Sequence, residues 1–337
     1  MKKWLIMCFI LLTVLPLCLA VKIAELEEIQ KFPTLVIGDQ YLYIWDRSTL
    51  NIHIYSRKDF SFLGMFGKKG EGPGEFKWIN VLQIFPDFLF ISGMDKISFF
   101  SKMGKLKDEK RANPNSGKYS LLGKNFICTK FVPQKPTAKY AEIKFTLLDS
   151  DLQKNKDLFK TKILATLHYN PLKKKQDFML VSGFAGYKVY NDRLYIGTTE
   201  RGIYFAVFDS RGKKLYAIDH PYKRRELTAE HKSRYIGRVL RWHGPKVKRM
   251  YNLVLPEYFP AFSNFDISDG KIYVLMFPEH PDLGKPQEIL VLDLDGKLLK
   301  KTTIPYREAF CISKGKYYYL IDNEITEMWE LHADPIK

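Results

Sequence analysis

The stretch Gly67-Lys-Lys-Gly-Glu-Gly-Pro-Gly-Glu-Phe76 contains four glycines and one proline in ten residues. This composition disfavours both a helix and a central strand, because glycine is preferred where φ is positive and proline fixes φ and removes an amide donor. β-type runs flank the stretch, Phe62 to Phe66 before it and Trp78 to Phe85 after it. The stretch therefore predicts a tight crossing from one small sheet into the next.

A turn residue followed by an aromatic and aliphatic run recurs along the chain. The six copies begin at Gln40, Asp87, Gly123, Asp192, Gly270 and Gly315. A second element, an apolar pair with a polar turn residue, follows these copies and is clearest around Asp209-Ser-Arg-Gly-Lys and Asp293-Leu-Asp-Gly-Lys. Two hairpins per unit make a four-stranded sheet, so the repeat predicts an all-β fold, a six-bladed β-propeller.

The predicted blades cover six successive parts of the chain: approximately residues 32–66, 78–112, 116–165, 184–220, 261–305 and 307–333. The last part has room for only three strands. We therefore expect Val21 to Ile29 to close the last blade as its outer strand, which would also protect open sheet edges. Of the two longer connections, Asn170 to Gln176 is predicted to be a solvated loop, and about 221–260 to be a helical insertion between blades 4 and 5.

The insertion predicts a helix from Thr228 to Trp242, with Thr228 as N-cap and Gly244-Pro245 as the stop signal. Its apolar stripe has helical spacing and consists of Tyr235, Ile236, Val239, Leu240 and Trp242. From Lys223 to Arg249 there are ten Lys or Arg residues against only Glu226 and Glu230. Two interpretations stay open: the charges face water while the apolar stripe docks, or the cationic face attracts an acidic ligand.

The crossing at 67–76 resembles the G-x-x-G-x-G-P-G-E-F signature between blades of NHL-type and TolB-like bacterial exported propellers. The resemblance covers this junction closely and the rest of the chain only by its repeat. It implies a binding or scaffold protein. Lactonase-like and lyase-like propellers hold a divalent cation, so the resemblance also implies an alternative, a calcium-dependent hydrolase or lyase.

The N-terminus predicts export. Met1-Lys-Lys, an apolar run from Trp4 to Leu19 and the small residue Ala20 are typical of a secretory signal peptide, residues 1–20. The mature protein would then be a single domain, 21–337, in the periplasm or outside the cell. Lipoprotein anchoring through Cys18 is less favoured, because Leu17 stands where a small residue is expected.

The topology of a propeller predicts where a site would lie. Connections between blades and the loops between second and third strands share one face, hereafter the loop face. Acidic residues there could bind a metal ion through oxygen, or could simply form turns; the candidates are Asp46, Glu200, Glu279 and Asp322. The candidate ligand-binding residues are Arg234, Arg238, Arg241, Trp242, His243 and His280.

The formal net charge of +17 favours anionic partners. In an exported protein these would be an acidic glycan, a peptide or an envelope protein rather than nucleic acid, and the basic helix could also contact a membrane surface. No G-x-S-x-G, P-loop or C-x-x-C motif occurs, so a non-catalytic binding module is favoured over an enzyme. We also expect a monomer without a cofactor, and calcium is the ion that the enzyme alternative would use.

Overall fold

The computed structural model describes residues 21–113, 117–132 and 134–336, and the predicted signal peptide lies outside the described residues. Within them, no helix has the length and apolar character needed to span a bilayer. The strands are β1 (Val21–Leu26), β2 (Pro33–Ile37), β3 (Tyr41–Asp46), β4 (Ile52–Ser56), β5 (Phe62–Phe66), β6 (Ile79–Ile84), β7 (Leu89–Gly93), β8 (Lys96–Phe100), β9 (Leu106–Arg111), β10 (Tyr119–Leu122), β11 (Asn125–Val132), β12 (Tyr140–Leu148), β13 (Lys154–Leu164), β14 (Leu167–Asn170), β15 (Lys175–Met179), β16 (Ala185–Tyr190), β17 (Arg193–Thr198), β18 (Ile203–Asp209), β19 (Lys214–His220), β20 (Tyr251–Val254), β21 (Phe262–Ser268), β22 (Lys271–Met276), β23 (Pro286–Asp293), β24 (Leu298–Pro305), β25 (Phe310–Ser313), β26 (Lys316–Asn323) and β27 (Met328–Pro335). The helices are α1 (Ala229–His243) and α2 (Val247–Met250).

Four-stranded antiparallel sheets account for most of the strands. They are β2–β5, β6–β9, β10–β13, β16–β19, β21–β24, and β25–β27 with β1. The recurring aromatic and aliphatic runs are the second strands of these sheets, such as β3, β7, β17 and β22, which are buried along nearly their whole length. Such strands are apolar on both faces because a neighbouring sheet covers each face. The all-β, propeller-like fold with four-stranded sheets is therefore confirmed.

The first strands of the sheets contact one another in sequence: β6 with β10, β10 with β16, β16 with β21, β21 with β25, and β25 with β2. The first and second sheets share a core that includes Tyr43, Ile54, Leu82 and Ile91. Contacts therefore pass from each four-stranded sheet to the next and return from the last sheet to the first.

The N-terminal segment closes the last sheet, as predicted. β1 pairs antiparallel with β27, with Leu26 opposite Trp329. Leu26 and Ile29 are buried in a core shared by the first and last sheets. The chain's two ends therefore stabilise each other through backbone pairing and apolar packing.

The glycine crossing at 67–76 is stabilised by contacts within itself and with the second sheet. The Glu75 carboxylate accepts a hydrogen bond from the Gly72 amide (2.9 Å), and the Gly74 amide donates to Glu109 (3.2 Å). A Cβ on Gly70 would lie 2.0 Å from the Glu75 carboxylate, so a side chain there would displace it. Phe76 is fully buried against Phe100, with ring centroids 6.0 Å apart. Glycine thus allows the close backbone approach, and Phe76 anchors the crossing in the core.

The two longer connections build a further sheet that the sequence did not predict. β14 and β15 form a hairpin, and β15 pairs in parallel with β20 from the insertion. The prediction of a solvated loop from Asn170 to Gln176 was therefore wrong at its ends, because only 171–174 form a turn. Since this three-stranded sheet accompanies the four-stranded ones, the number of blades stays a prediction.

Candidate functional site: the α1 surface

Helix α1 begins and ends within one residue of the prediction, because both ends are capped at the predicted residues. The Thr228 hydroxyl accepts a hydrogen bond from the His231 amide (3.4 Å), and the Thr228 amide donates to His231 Nδ1 (3.3 Å). This is a capping box with histidine in the usual Glu or Gln position. At the other end Gly244, with φ of 68°, donates its amide to the Leu240 carbonyl (2.9 Å). The predicted N-cap and stop signal are confirmed.

Tyr235 docks α1 on the rest of the molecule. It is buried in a small core with Val181, Leu227 and Phe259. Its hydroxyl donates to the Pro278 carbonyl (2.5 Å) in the loop after β22, and burial raises the pKa of this phenol. The other apolar residues of the predicted stripe are only partly buried, and Trp242 is exposed. The helix is therefore held at one central side chain rather than along a continuous apolar face.

The three predicted arginines of α1 all form ion pairs. Arg234 pairs with Glu230 one turn earlier, Arg238 with Glu308 (2.6 Å), and Arg241 with Asp282 (2.6 Å). Burial alone would lower the pKa of Arg238, but Tyr306 and Glu308 outweigh it and raise the pKa. The Arg241 pair joins α1 to the β22–β23 loop, and the Arg238 pair joins it to the connection from β24 to β25, so these arginines do not simply face water.

An aromatic and cationic surface remains at the C-terminal half of α1. The Trp242 side chain is 64% exposed, and the Arg238 guanidinium lies 5.7 Å from its ring centroid. His280 accepts a hydrogen bond from the Asp282 amide (3.4 Å), which places it beside the Arg241 pair. We call the surface formed by Arg238, Arg241, Trp242 and His280 the α1 platform. Arg234 lies in the preceding turn, and His243 is exposed at the end of the helix.

The four predicted metal-binding residues have separate environments. Asp46 is fully buried and accepts hydrogen bonds from the amides of Gln30 (2.7 Å), Lys31 (2.8 Å) and Ser48 (2.7 Å). Burial alone would raise its pKa, but hydrogen bonds from Ser48, Lys31 and Gln30 outweigh it and lower the pKa. Asp46 therefore fixes the segment that leads from β1 into β2.

The other three acidic residues do not join Asp46. Glu200 accepts from the Thr161 hydroxyl (2.6 Å) and the Lys162 amide (3.0 Å), Glu279 pairs with Arg225 (2.9 Å), and Asp322 is exposed on β26. Over residues 21–113, 117–132 and 134–336, no three His, Cys, Asp or Glu side chains cluster as a metal ion requires. Calcium binding by these residues stays a prediction.

The first strands bring together charges that no sequence pattern signalled. Lys188 on β16 pairs with Asp266 on β21 (3.0 Å), and the Ile312 amide of β25 donates to the same carboxylate (3.3 Å). Lys118, just before β10, has a lowered pKa, caused by burial and then by the positive charges of Lys188 and Arg47. The sequence alone does not show that Lys118 lies near Lys188 and Arg47, because these residues come together only when the sheets pack against one another.

Comparisons with known proteins show likeness in fold only. No family model matches the sequence, and no curated protein matches it. The protein BF0058 from Bacteroides fragilis NCTC 9343 is similar over 94% of each chain, with a TM-score of 0.56 and 11% identity. BamB from Moraxella catarrhalis is more distant, with a TM-score of 0.40 and 9% identity over 93% of this chain and 99% of that one.

Proposed function

We propose that the chain is an exported six-bladed propeller of the NHL/TolB-like type, one domain from 21 to 337, that acts as a non-catalytic binding module for an anionic partner. Six four-stranded sheets in the described residues, with first strands in successive contact, support the blade number. The three-stranded sheet then belongs to the connections before and after the fourth blade. Residues 1–20 support export to the periplasm or beyond.

The observation that carries the binding proposal is the exposed Trp242 held beside Arg238 and Arg241. Tryptophan and arginine dominate the binding energy of many interfaces, because both combine a large flat surface with a polar group. Arginine also binds carboxylates with two parallel hydrogen bonds. An acidic glycan, an acidic peptide or an acidic protein surface would satisfy both features of the α1 platform.

The charge around the platform supports an anionic partner even after internal pairing. Lys223 and Lys232, before and in the first turn of α1, form no ion pair within the described part of the chain, and Arg224 lies over the Tyr258 ring, 5.6 Å from its centroid. Cations of this kind raise the rate at which an anionic ligand arrives and make binding sensitive to salt.

The test uses polygalacturonate as an acidic polysaccharide and dextran as a neutral one, titrated at low and high salt. We expect polygalacturonate to bind, dextran not to bind, and affinity to fall as salt rises. Trp242→Ala should weaken binding by about tenfold or more if the platform is the site. Arg211→Ala, in the exposed β18–β19 turn, is the matched control and should leave binding unchanged.

The arginines are tested with single and double variants, because replacing an arginine alone leaves the carboxylate of its partner unpaired. Arg241→Ala alone exposes Asp282, whereas Arg241→Ala with Asp282→Ala removes the whole pair. Loss of binding in both variants supports a direct contact from Arg241. Undiminished affinity after Arg234, Arg238 and Arg241 are all changed to Ala would reject the platform as the binding site.

A further inference from the structure

A second basic surface lies outside the α1 platform, where the β14–β15 turn meets α2. It consists of residues 171–175 and 246–250, and we call it the hairpin–α2 patch. Six of these ten residues are Lys or Arg and none is acidic: Lys173, Lys174, Lys175, Lys246, Lys248 and Arg249. A run of like charges from two distant parts of the chain is therefore gathered on one small surface.

Backbone pairing holds the two halves of the patch together. β15 and β20 pair in parallel with Gln176 opposite Tyr251, so the residues preceding each strand also lie side by side. The Lys175 ammonium donates a hydrogen bond to the Lys248 carbonyl (2.7 Å). Next to them, the buried Asp177 carboxylate accepts a hydrogen bond from the Asn252 side chain (2.9 Å), so this neighbouring acid faces inward.

Apolar side chains project from among these cations. Leu172 is 95% exposed and Met250 is 61% exposed. In the described part of the chain, no ion pair neutralises Lys173, Lys246 or Lys248. An exposed leucine alone has no special meaning, but a fully exposed leucine at the tip of a turn beside six cations matches the chemistry of an anionic bilayer surface.

We propose that the hairpin–α2 patch docks the protein on an anionic lipid membrane surface. Leu172 and Met250 enter the boundary between headgroups and acyl chains, while the lysines contact lipid phosphates and keep their apolar stems against the surface. Each Lys or Arg near such a surface strengthens binding about fivefold. A soluble polyanion would engage the cations but would gain nothing from Leu172, and this difference separates the two classes of partner.

The experiment measures co-sedimentation of the mature chain with phosphatidylcholine vesicles, with or without about one third phosphatidylglycerol. Binding should require the anionic lipid and weaken with salt. Lys173→Gln, Lys246→Gln and Lys248→Gln together should lower the partition coefficient on the order of 100-fold. The matched control changes three exposed lysines in hairpin turns, Lys105, Lys213 and Lys297, to Gln and should have little effect.

Leu172→Ser tests the apolar contact and should lower vesicle binding by about tenfold. Ile325→Ser is its control, because Ile325 is 94% exposed but lies between Glu324 and Glu327. Circular dichroism and thermal unfolding confirm that each variant is folded. Equal binding to neutral vesicles, full binding by the triple lysine variant, or binding of polygalacturonate through the patch without vesicle binding would each overturn the proposal.

Discussion

Two kinds of connection join neighbouring four-stranded sheets, and they are held in different ways. The short ones, 27–32 and 67–76, are fixed by buried groups: Asp46 binds the amides of the first, and Phe76 anchors the second. The long one, 221–261, packs Leu227, Tyr235 and Phe259 into a small core and pairs β20 with β15, but its helix α1 is held by one buried tyrosine and by ion pairs near the surface. The comparison teaches that the short connections here maintain the fold, whereas the long connection leaves large side chains such as Trp242 exposed to solvent.

The largest expected effect is in the short crossing. Phe76→Ala should destabilise the protein by about 3–5 kcal/mol, because it removes a fully buried ring and leaves a cavity between the first two sheets. The midpoint and slope of urea denaturation measure this loss of stability. Trp78→Ala in the same region is the control, since Trp78 is 47% exposed and should cost far less. Similar losses in the two variants would contradict the anchoring role of Phe76.

Asp46→Ala should cost about 3 kcal/mol at neutral pH, because buried amides lose a charged acceptor. The folded pKa of Asp46 is lower than its ordinary value of 3.8, so the unfolded chain binds the proton more readily. Its contribution is therefore complete above about pH 4 and is lost as the pH falls through the folded pKa. Urea midpoints measured from neutral to acid pH should fall less steeply for the variant than for the wild type.

Tyr235→Phe tests how α1 is held. It removes one hydrogen bond to the Pro278 carbonyl while keeping the buried ring, at a cost of about 1 kcal/mol. The effect should be local: amide exchange should speed up in α1 but stay unchanged in β22 and β23. Faster exchange throughout the sheets would show that the insertion supports the whole fold and would remove the contrast between the two kinds of connection.

The smallest effect is expected for Arg234→Ala. Its pair with Glu230 is an exposed pair one helical turn apart, and such pairs contribute less than about 0.5 kcal/mol. Thermal unfolding should shift by no more than the error between repeats. A clear fall in the melting temperature would mean that the Arg234–Glu230 pair stabilises the fold and that this arginine is not free to bind a partner.

The sequence predicted the four-stranded sheets well because each repeat carries its own local signals. Turn residues such as Asp209 and Asp293 mark hairpins, and continuous apolar runs mark second strands covered on both faces. Helix α1 was equally predictable, since Thr228 and Gly244 act on residues within one turn of them. All of these signals operate over a few residues.

The rest could not be predicted because it depends on distant pairing. Nothing near Lys175 indicates that β15 pairs with β20, some seventy residues later in the chain. In the same way, Arg238 and Arg241 look free in sequence but bind Glu308 and Asp282 from other loops. Asp46 was recognised as a loop acid, but its acceptor role depends on amides at Gln30 and Lys31 that only the closing strand brings near.

The parallel pair of β15 and β20 has a mechanical consequence for the sheet it encloses. Everything between Met179 and Tyr251, including all of β16–β19, lies within a loop fastened by that pair. A pulling force applied to the two ends of the chain would act on the β15–β20 hydrogen bonds before it could unfold the fourth sheet. The enclosed sheet is thereby shielded from tension that its neighbours must bear.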